Sequence, residues 1–355
     1  MRYLIATELV KKSRIDQLDF NNIPLGKTFT DHMFVCDYKD GAWHDPRVEP
    51  LHLVPTHPAA MALHYGQAIF EGMKAYKNLE GQPILFRPEM NAKRLNKSAD
   101  RMGMPGFPEE LFVEGLKHLV ATDQAWIPTD EGSALYLRPF MYADEAFIGM
   151  RAATSFKFII IASPSSPIFS KRIKLKAEPQ YIRAAHGGTG EAKAAGNYAA
   201  AIKPTEIAKN EGYDQVLWLD AHDHKYIQEV GTMNIFFQIG DDFITPKLDG
   251  SILAGITRDS VIQLLRSEGY RVKEKLISID EIKEAHVTGQ LKEAFGTGTA
   301  VGITFIEGIS IGNDYLKLSE DNPVAKSIKE KLHQIKTGKI EDKFNWVVEV
   351  NEALV

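Results

Sequence analysis

The longest apolar runs of the chain are only strand-length, and this feature limits the fold more than any other. One of them, FKFIIIA, begins at Phe156 and is far shorter than the roughly 20 apolar residues that cross a bilayer as a helix. Other segments have helical spacing. EELFVEGLKHLVATDQAW places one apolar face on Leu111, Phe112, Gly115, Leu116, Leu119 and Val120. Strands and helices therefore alternate irregularly along the chain, which predicts an α+β fold.

Alternating and β-rich runs predict the strands. They are HMFVCDY, PILFRP, SALYLRPFMY, FKFIIIAS and YDQVLWLD, together with a hairpin of NIFFQIG and DDFITP around Gly240-Asp241. The segment EAFGTGTAVGITFIEGI returns to β character with a Gly/Thr turn inside it.

Helices are predicted from periodicity and from their end signals. AMALHYGQAIFEGMKAY is interpreted as a helix that runs toward a strand, and EMNAKRLNKSADRM as a helix. TRDSVIQLLRSEGY has Thr257 as its predicted N-cap and Gly269 near its end. In SIDEIKEA, Ser278 and Glu281 have the spacing of a capping box. NPVAKSIKEKLHQIKTGK is predicted to be an amphipathic surface helix.

A length of 355 residues is typical of two domains. The Pro/Ser-rich stretch PSSPIFSKR is the best linker candidate. We therefore predict a smaller α+β domain over residues 1–165, a linker over 166–175 and a larger α+β domain over 176–355. A cleft between two domains is a common place for a cofactor.

Charge and cysteine content exclude several classes of function. A net charge of -5 gives no basic surface for nucleic acid or an anionic membrane. The N-terminal residues lack a small-residue cleavage site, so no signal peptide is predicted. The single cysteine, Cys36, permits neither an intramolecular disulfide nor a cysteine metal cluster, and its alternating run predicts a buried thiol. A reducing cytoplasm is the expected location. The HDH group beginning at His222 is interpreted as a polar turn, and no metal site is predicted.

Four features invite a chemical interpretation. Lys193 lies in the glycine-rich segment HGGTGEAKAAGNYAAAIKP, with Tyr198 just downstream, and Glu229 precedes Gly231 in EVGTMNIFF. Two Gly/Thr turns, LAGITR and FGTGTA, complete the set. Taken singly, they are explained by a solvated lysine, a strand-end charge, a tight turn and a helix cap.

Together these features fit pyridoxal 5'-phosphate. Its aldehyde needs an amine that is unprotonated part of the time, as a lysine crowded by backbone can be. Its pyridine nitrogen needs a carboxylate, and its phosphate needs an arginine and backbone N–H groups. Lys193, Glu229, Tyr198 and Thr257, with an arginine, would supply these groups.

Six motifs in order resemble the branched-chain amino acid aminotransferases, which are class IV, fold-type IV pyridoxal-phosphate enzymes. They are FEGMKAY, FRPEMNAKR, GGTGEAKAAGNY, QVLWLD, QEVGTMNIFF and FGTGTA. The resemblance runs from Gly26 to near the C-terminus. It implies a two-domain fold-type IV enzyme, like D-amino acid aminotransferase, with the cofactor in the interdomain cleft.

The resemblance also implies roles at the cofactor. Lys193 corresponds to the Schiff-base lysine, Tyr198 to the partner of the 3'-oxygen and Glu229 to the partner of the pyridine nitrogen. The phosphate would be held by Arg94, Ile256, Thr257 and Thr297. Without the motif, Arg94 would be interpreted as a solvent-facing helix charge, and we keep that interpretation for Arg87.

Substrate contacts follow in the same way. The resemblance places Phe70 and Tyr136 in the side-chain pocket; the alternative is that both are core aromatics. It places Arg138 at the distal carboxylate of glutamate, and the backbone N–H groups of Thr299 and Ala300 at the α-carboxylate. Tyr65 corresponds to a residue reached from the neighbouring subunit of a homodimer.

The implied reaction is reversible amino transfer from leucine, isoleucine or valine to 2-oxoglutarate by a ping-pong mechanism. Two departures from the family pattern concern the pocket: Leu25 replaces an aromatic residue, and the linker SSPIF lacks a tyrosine. GTAVGI has no cysteine pair, so the thiol switch of some animal members is not expected. The alternatives are a D-amino acid aminotransferase, an aminodeoxychorismate lyase and a non-catalytic binding protein.

Overall fold

The computed structural model describes residues 3–20, 22–23, 26–166 and 171–351. Contacts divide the chain into two compact units. Unit 1 comprises Met1–Ile168, Ala192–Ala195 and His333–Val355, and unit 2 comprises Phe169–Glu191 and Gly196–Leu332. The first segment of unit 1 ends at 168, within the predicted linker over residues 166–175. Residues 167–170 of this linker lie outside the described residues. Leu25, which was predicted to affect the pocket, also lies outside them. Residues 333–355 group with unit 1, whereas the sequence-based division placed them in the second domain. The domain boundaries at 165 and 176 therefore stay a prediction.

The core of unit 1 is built on one sheet, which has nine strands in the described part of the chain, in the order β1-β3-β2-β8-β7-β5-β6-β18, with β4 beside β7. β1 pairs in parallel with β3, and the other neighbours are antiparallel. The strands are β1 (Ala6–Thr7), β2 (His32–Lys39), β3 (Ala42–Pro50), β4 (Ala68–Phe70), β5 (Met73–Lys77), β6 (Pro83–Phe86), β7 (Ala134–Ala143), β8 (Phe156–Ser165) and β18 (Val347–Glu349).

Three helices belong to unit 1: α1 (Met61–Tyr65), α2 (Pro88–Arg101) and α3 (Glu109–Thr122). The face of α3 predicted from its periodicity is buried at every position. It packs in the main core together with Leu95 of α2 and Phe158 of β8. On β7 the residues alternate, so that Leu135, Leu137 and Met141 enter this core while Tyr136 and Arg138 occupy the other face.

Unit 2 contains a second sheet, again with nine described strands, in the order β11-β10-β9-β16-β15-β12-β13-β14, with β17 beside β16. The strands are β9 (Ile173–Ala177), β10 (Gln215–Leu219), β11 (Ile227–Val230), β12 (Asn234–Ile239), β13 (Asp242–Pro246), β14 (Arg271–Lys275), β15 (Leu291–Gly298), β16 (Gly302–Ile311) and β17 (Asp314–Lys317). β12 and β13 pair as the predicted hairpin around Gly240-Asp241.

Four further helices complete the described chain: α4 (Ala195–Asn210), α5 (Ile256–Ser267), α6 (Ile279–Val287) and α7 (Pro323–Lys336). The amphipathic pattern of α7 is confirmed, because Ala325, Ile328, Leu332 and Ile335 are buried. The capping interaction at α6 is also confirmed, since the Ser278 side chain accepts a hydrogen bond from the Glu281 backbone N–H.

One local prediction holds only in part, and another is wrong. The segment AMALHYGQAIFEGMKAY forms only the short helix α1, which ends at Gly66 with φ of 66°, and then continues into β4 and β5. Pairing of these strands with β7 outweighs the helical propensity of the segment. At α5 the N-cap is Gly255, so Thr257 lies inside the first turn rather than at the cap.

Cys36 is a buried free thiol, and burial raises its pKa to about 12. In the described ranges, no helix has the length and apolar content needed to cross a membrane. The same residues contain no group of three or more His, Cys, Asp or Glu side chains arranged to hold a metal ion.

Candidate active site

Lys193 lies in unit 1, although the chain on both sides of Ala192–Ala195 belongs to unit 2. The segment is fixed by backbone contacts: the Lys193 N–H donates to Ser98 Oγ at 2.9 Å, and its carbonyl accepts from the Phe70 N–H at 3.0 Å. Nζ lies 5.0 Å from the centre of the Phe70 ring. Lys193 is half-buried, so it is not the freely solvated surface lysine that its composition alone would suggest.

Arg94 is buried in α2, one turn before Ser98. Its Nε and Nη2 donate to the two carboxylate oxygens of Glu71 at 2.8 and 2.7 Å. Glu71 is fully buried and also accepts from Asn91 Nδ2 at 2.8 Å. The solvent-facing interpretation of Arg94 is therefore excluded, and the guanidinium is held in a fixed, charge-paired orientation.

Phe70, Tyr136 and Arg138 form one cluster in unit 1. The Arg138 guanidinium carbon lies 4.7 Å from the Phe70 ring centre and 5.3 Å from that of Tyr136. Its Nη2 donates to Tyr136 Oη at 2.9 Å. Arg138 Nε is buried and has no hydrogen-bond partner in the part of the chain that the structure describes. The cluster thus combines two aromatic rings with a cation that retains an unused donor.

Tyr65 stands at the end of α1 with 42% of its surface exposed. The loop after β7 lies close to α1, as the hydrogen bond from the Phe147 N–H to the Ala59 carbonyl at 3.1 Å shows. Several other large apolar side chains of these two segments are exposed: Leu63, Phe147, Ile148 and Met150. Tyr65 is therefore part of an exposed apolar surface of unit 1, which we call the Tyr65 surface.

Glu229 occupies β11 in unit 2 and is buried. Its Oε1 accepts from the Leu253 N–H at 2.5 Å, and its Oε2 lies 3.0 Å from Arg183 Nε. Arg183 also donates to the Ser251 carbonyl at 2.8 Å. These two donors fix the carboxylate beside the segment that leads into α5.

The turn LAGITR is held by the neighbouring motif EVGTMN. Asn234 Nδ2 donates to the Leu253 carbonyl at 2.9 Å. A Cβ on Gly255 would lie 2.0 Å from Asn234 Oδ1, so only glycine permits this approach. No side chain caps α5 at Gly255, and Ile256 and Thr257 are buried in its first turn. The start of α5 therefore presents backbone N–H groups of the kind that bind anions.

Thr297 lies on β15 directly opposite Asn234 of β12. Its hydroxyl is buried, and among the described residues it has no hydrogen-bond partner. Thr299 and Ala300 follow in the half-buried turn between β15 and β16. Strand pairing thus brings FGTGTA next to EVGTMN, which in turn contacts LAGITR.

Tyr198 is half-buried in the first turn of α4. The preceding residue, Asn197, ties this helix to the glycine-rich segment by donating from Nδ2 to the Thr189 carbonyl at 2.8 Å. A Cβ on Gly190 would lie 2.3 Å from the Ser251 carbonyl oxygen. Glycine at position 190 therefore permits the close packing of this segment against Ser251 within unit 2.

The predicted residues fall into two groups. Unit 1 brings together Lys193, Arg94, Phe70, Tyr136 and Arg138. Unit 2 assembles Glu229, Ile256, Thr257 and Thr297 through connected motifs, and also carries Tyr198, Thr299 and Ala300.

Sequence reasoning missed three residues that orient these groups: Glu71, Ser98 and Arg183. Glu71 lies inside the motif FEGMKAY, and Arg183 lies three residues before the glycine-rich segment. Neither sequence position indicates which distant residue the side chain pairs with in the fold. Arg87 was also misjudged. It is buried, and its guanidinium carbon lies 5.1 Å from the Trp346 ring centre rather than facing solvent.

Chemically, unit 1 offers an amine beside aromatic rings and two oriented guanidinium groups. Among its described residues, unit 2 offers a carboxylate held by two donors, a helix start without a side-chain cap and a buried hydroxyl without a partner. The groups of unit 1 suit a carbon that reacts with an amine, and those of unit 2 suit a basic ring nitrogen and a phosphate.

Comparison with known proteins agrees with this chemistry. The family model described as amino-transferase class IV matches residues 68–309. The chain is 47% identical over 338 residues to branched-chain-amino-acid aminotransferase 2 of Bacillus subtilis (strain 168), covering 94% of this chain and 93% of that protein.

Solved structures are similar over most of the chain. A branched-chain aminotransferase from Thermoproteus uzoniensis, solved with norvaline, has a TM-score of 0.75 and 27% identity over 90% of this chain and all (100%) of that chain. The branched-chain amino acid aminotransferase of Escherichia coli has a TM-score of 0.74 and 27% identity over 90% of this chain and 99% of that chain. A third branched-chain amino acid aminotransferase, complexed with N-(5'-phosphopyridoxyl)-L-glutamate, has a TM-score of 0.72 and 26% identity over 89% of this chain and 98% of that chain.

These likenesses define the fold and the family. The fold is that of fold-type IV aminotransferases, because solved members match nearly the whole chain. Identity and coverage together show that this chain belongs to the class IV aminotransferases and, within them, to the branched-chain-amino-acid aminotransferase family.

Proposed function

We propose that the protein is a branched-chain-amino-acid transaminase that uses pyridoxal 5'-phosphate. It moves the amino group of L-leucine, L-isoleucine or L-valine to 2-oxoglutarate, giving the branched 2-oxo acid and L-glutamate. The observation that carries the proposal is the placement of Lys193 over Phe70, beside Tyr136 and Arg138, in a chain 47% identical to a branched-chain-amino-acid aminotransferase. The same similarity argues against a D-amino acid aminotransferase, an aminodeoxychorismate lyase or a non-catalytic protein.

The described residues fit the cofactor. The buried Thr297 hydroxyl without a partner and the uncapped start of α5 at Ile256 and Thr257 are suited to a phosphate. Arg94 would add its charge there, Tyr198 would donate to the 3'-oxygen, and Glu229 would pair with the ring nitrogen. When bound, the cofactor supplies an aldehyde for amine exchange and an electron-withdrawing ring.

Lys193 is proposed as the residue that anchors the cofactor and moves the proton. With its amine free, Nζ accepts the proton from the α-carbon of the substrate and returns it later, so one group serves as base and then as acid. The hydrogen bond from its N–H to Ser98 Oγ keeps the backbone in place while the side chain moves. Because a single carrier takes the amino group from donor to acceptor, the kinetics should be ping-pong.

The Phe70–Tyr136–Arg138 cluster explains how one pocket accepts both a substrate with a branched alkyl chain and a substrate with a second carboxylate. The aromatic rings offer apolar contact to a branched alkyl chain. The unused Nε donor of Arg138 offers a hydrogen bond to the distal carboxylate of glutamate or 2-oxoglutarate. The backbone N–H groups of Thr299 and Ala300 would hold the α-carboxylate.

The functional form is proposed to be a cytoplasmic homodimer. The exposed apolar side chains of the Tyr65 surface support association with a second copy, since such clusters mark interaction sites. The buried, unpaired Cys36 suits a reducing compartment. Sedimentation analysis should give the mass of a dimer, and Tyr65→Ser with Met150→Ser should shift the protein toward monomer.

The test of the activity is Lys193→Ala, with Lys203→Ala in α4 as a control lysine. We expect Lys193→Ala to lower the rate of leucine–2-oxoglutarate transamination by at least about 10²–10⁴-fold, the usual contribution of a positioned acid–base group. Lys203→Ala should be unaffected. The purified wild type should be yellow and should bleach with borohydride.

A normal rate in Lys193→Ala, or a colourless wild type without cofactor, would disprove the assignment. A donor panel of L-leucine, D-alanine and aminodeoxychorismate separates the fold-type IV alternatives. Only L-leucine should support transfer.

A further inference from the structure

Unit 1 contains a cavity of about 300 Å³ that includes none of the proposed active-site residues. Three segments line it: the end of β5 with its following turn, the loop over residues 128–133, and the last turn of α7 with the residues after it. The lining includes the side chains of Tyr76, Lys77, Ser133, His333, Thr337 and Lys339. A volume of this size is enough for a small molecule or ion.

The last turn of α7, which supplies His333 to the cavity wall, also carries a buried amine, that of Lys336, which is not among the lining side chains. Lys336 follows His333 by one turn and directly precedes Thr337, and only 8% of its surface is exposed. Its Nζ lies 4.8 Å from the ring centre of Phe86. Within the described ranges, no carboxylate lies close enough to form an ion pair with Lys336. A buried ammonium without an anion is unfavourable, because burial removes its hydration.

A second buried lysine approaches from the sheet. Lys74 lies two residues before Tyr76 on β5 and is therefore on the same face of the strand. Burial lowers the pKa of Lys74 to about 8, and burial together with the charge of Lys74 lowers the pKa of Lys336 to about 7. The pKa of His333 is lowered as well, first by burial and then by Lys339.

Among the described side chains that line the cavity, the acidic ones come from the 128–133 loop. Asp130 and Glu131 are both exposed. The Glu131 carboxylate lies 4.0 Å from Lys339 Nζ, at the limit of an ion pair, and such exposed pairs contribute little. The charged and titratable side chains that line the cavity are Tyr76 and Lys77 from β5, Asp130 and Glu131 from the loop, and His333 and Lys339 from the C-terminal segment. Lys74 and Lys336 do not line it but are close enough to act electrostatically on His333.

We propose that this cavity is a second ligand site, which binds a small tetrahedral dianion such as phosphate or a phosphate monoester. Lys77, His333 and Lys339 contact it from the walls, and the hydroxyls of Tyr76 and Ser133 donate to it. Its two negative charges offset the positive charge of Lys336, which acts together with that of Lys74 on His333 of the cavity wall. Because the anion favours the charged forms of these amines, its binding takes up protons near neutral pH.

The experiment is calorimetric titration of the cofactor-loaded protein with sulfate and, separately, with inorganic phosphate, in excess chloride at constant ionic strength. Sulfate does not titrate near neutral pH, so heats measured in buffers of different ionisation enthalpy report proton uptake by the protein. We expect saturable binding with a Kd at or below about 1 mM at pH 7.5. Proton uptake should decrease as the pH falls below 7, where both amines are already charged.

Lys336→Met keeps the buried stem and removes the amine. It should weaken binding at least about tenfold and reduce the proton uptake, while the basal transamination rate is unchanged. The matched control is Lys326→Met on the exposed side of α7, which should bind like the wild type. Lys339→Ser, at an exposed position, should also weaken binding.

Absence of saturable sulfate and phosphate binding to the wild type would overturn the proposal. So would affinity that is unchanged in both Lys336→Met and Lys339→Ser, or binding without proton uptake. None of these readouts depends on transaminase activity, so the second site and the proposed reaction can fail independently.

Discussion

The pairing of Arg94 with Glu71 makes a quantitative prediction. Replacing Glu71 with Gln keeps the side-chain volume but removes the negative charge that faces a guanidinium only 9% exposed. The amide oxygen can still accept one of the two hydrogen bonds, while the amide nitrogen meets a donor. Arg94 is then a buried charge without its counterion.

The expected loss follows from these contacts. Breaking a buried ion pair by removing one partner costs about 3–5 kcal/mol. The two charge-assisted hydrogen bonds, at 2.8 and 2.7 Å, contribute a similar stabilising free energy of about 3–6 kcal/mol together. Glu71→Gln should therefore lower the free energy of unfolding of unit 1 by about 3 kcal/mol or more.

Urea unfolding followed by tryptophan fluorescence measures this loss, because Trp43, Trp126 and Trp346 all lie in unit 1. The control is Glu80→Gln, at an exposed carboxylate in the turn after β5, which should change the unfolding free energy by less than about 0.5 kcal/mol. Glu71→Gln should also release the cofactor more readily on dialysis, because Arg94 loses its orientation. If Glu71→Gln and Glu80→Gln unfold at the same urea concentration, the pair does not hold Arg94 as argued.

Three further predictions concern single groups. Thr297→Val replaces a buried hydroxyl, which has no hydrogen-bond partner among the described residues, by a methyl of similar size. The stability of the cofactor-free protein should be unchanged or slightly higher, while cofactor retention should weaken. An equal loss of stability in the cofactor-free and cofactor-loaded forms would contradict a role at the phosphate. Ser98→Ala should lower kcat without changing the KM for leucine and should lower the free energy of unfolding by about 1 kcal/mol, since it removes the acceptor of the half-buried Lys193 N–H. A change in KM alone would argue for a substrate contact instead. The pKa values of Lys74 and Lys336 are lowered in the folded protein, so the unfolded chain binds more protons than the folded one between about pH 7 and 10, and the free energy of unfolding should rise with pH in that range. Lys336→Met should be more stable than the wild type at pH 7 and should show a smaller rise. An identical pH profile would refute the burial of a neutral amine.

Most secondary structure was predictable from the sequence because the signals are local. The buried face of α3, the β12–β13 hairpin and the Ser278 cap each depend on residues within one or two turns of the chain. The family and the identity of Lys193 were likewise carried by short motifs in order. The same local reasoning overextended the helix before Gly66, because β4 and β5 form by pairing with a strand some 70 residues away.

The environment of each site residue was decided by the tertiary structure. Arg94 and Arg87 are similar in sequence context, yet one is buried against Glu71, 23 residues earlier, and the other against Trp346, near the C-terminus. Likewise, strand register alone sets Thr297 opposite Asn234, and helix packing brings Ser98 to Lys193. The sequence by itself determined most of the elements that form and the family, and it singled out Lys193 as the proposed reactive lysine, since propensity and motifs depend on neighbouring residues. Only the tertiary structure decided which charges are paired and buried, because the partners are distant in the chain and the energy of each pair depends on the water that packing removes.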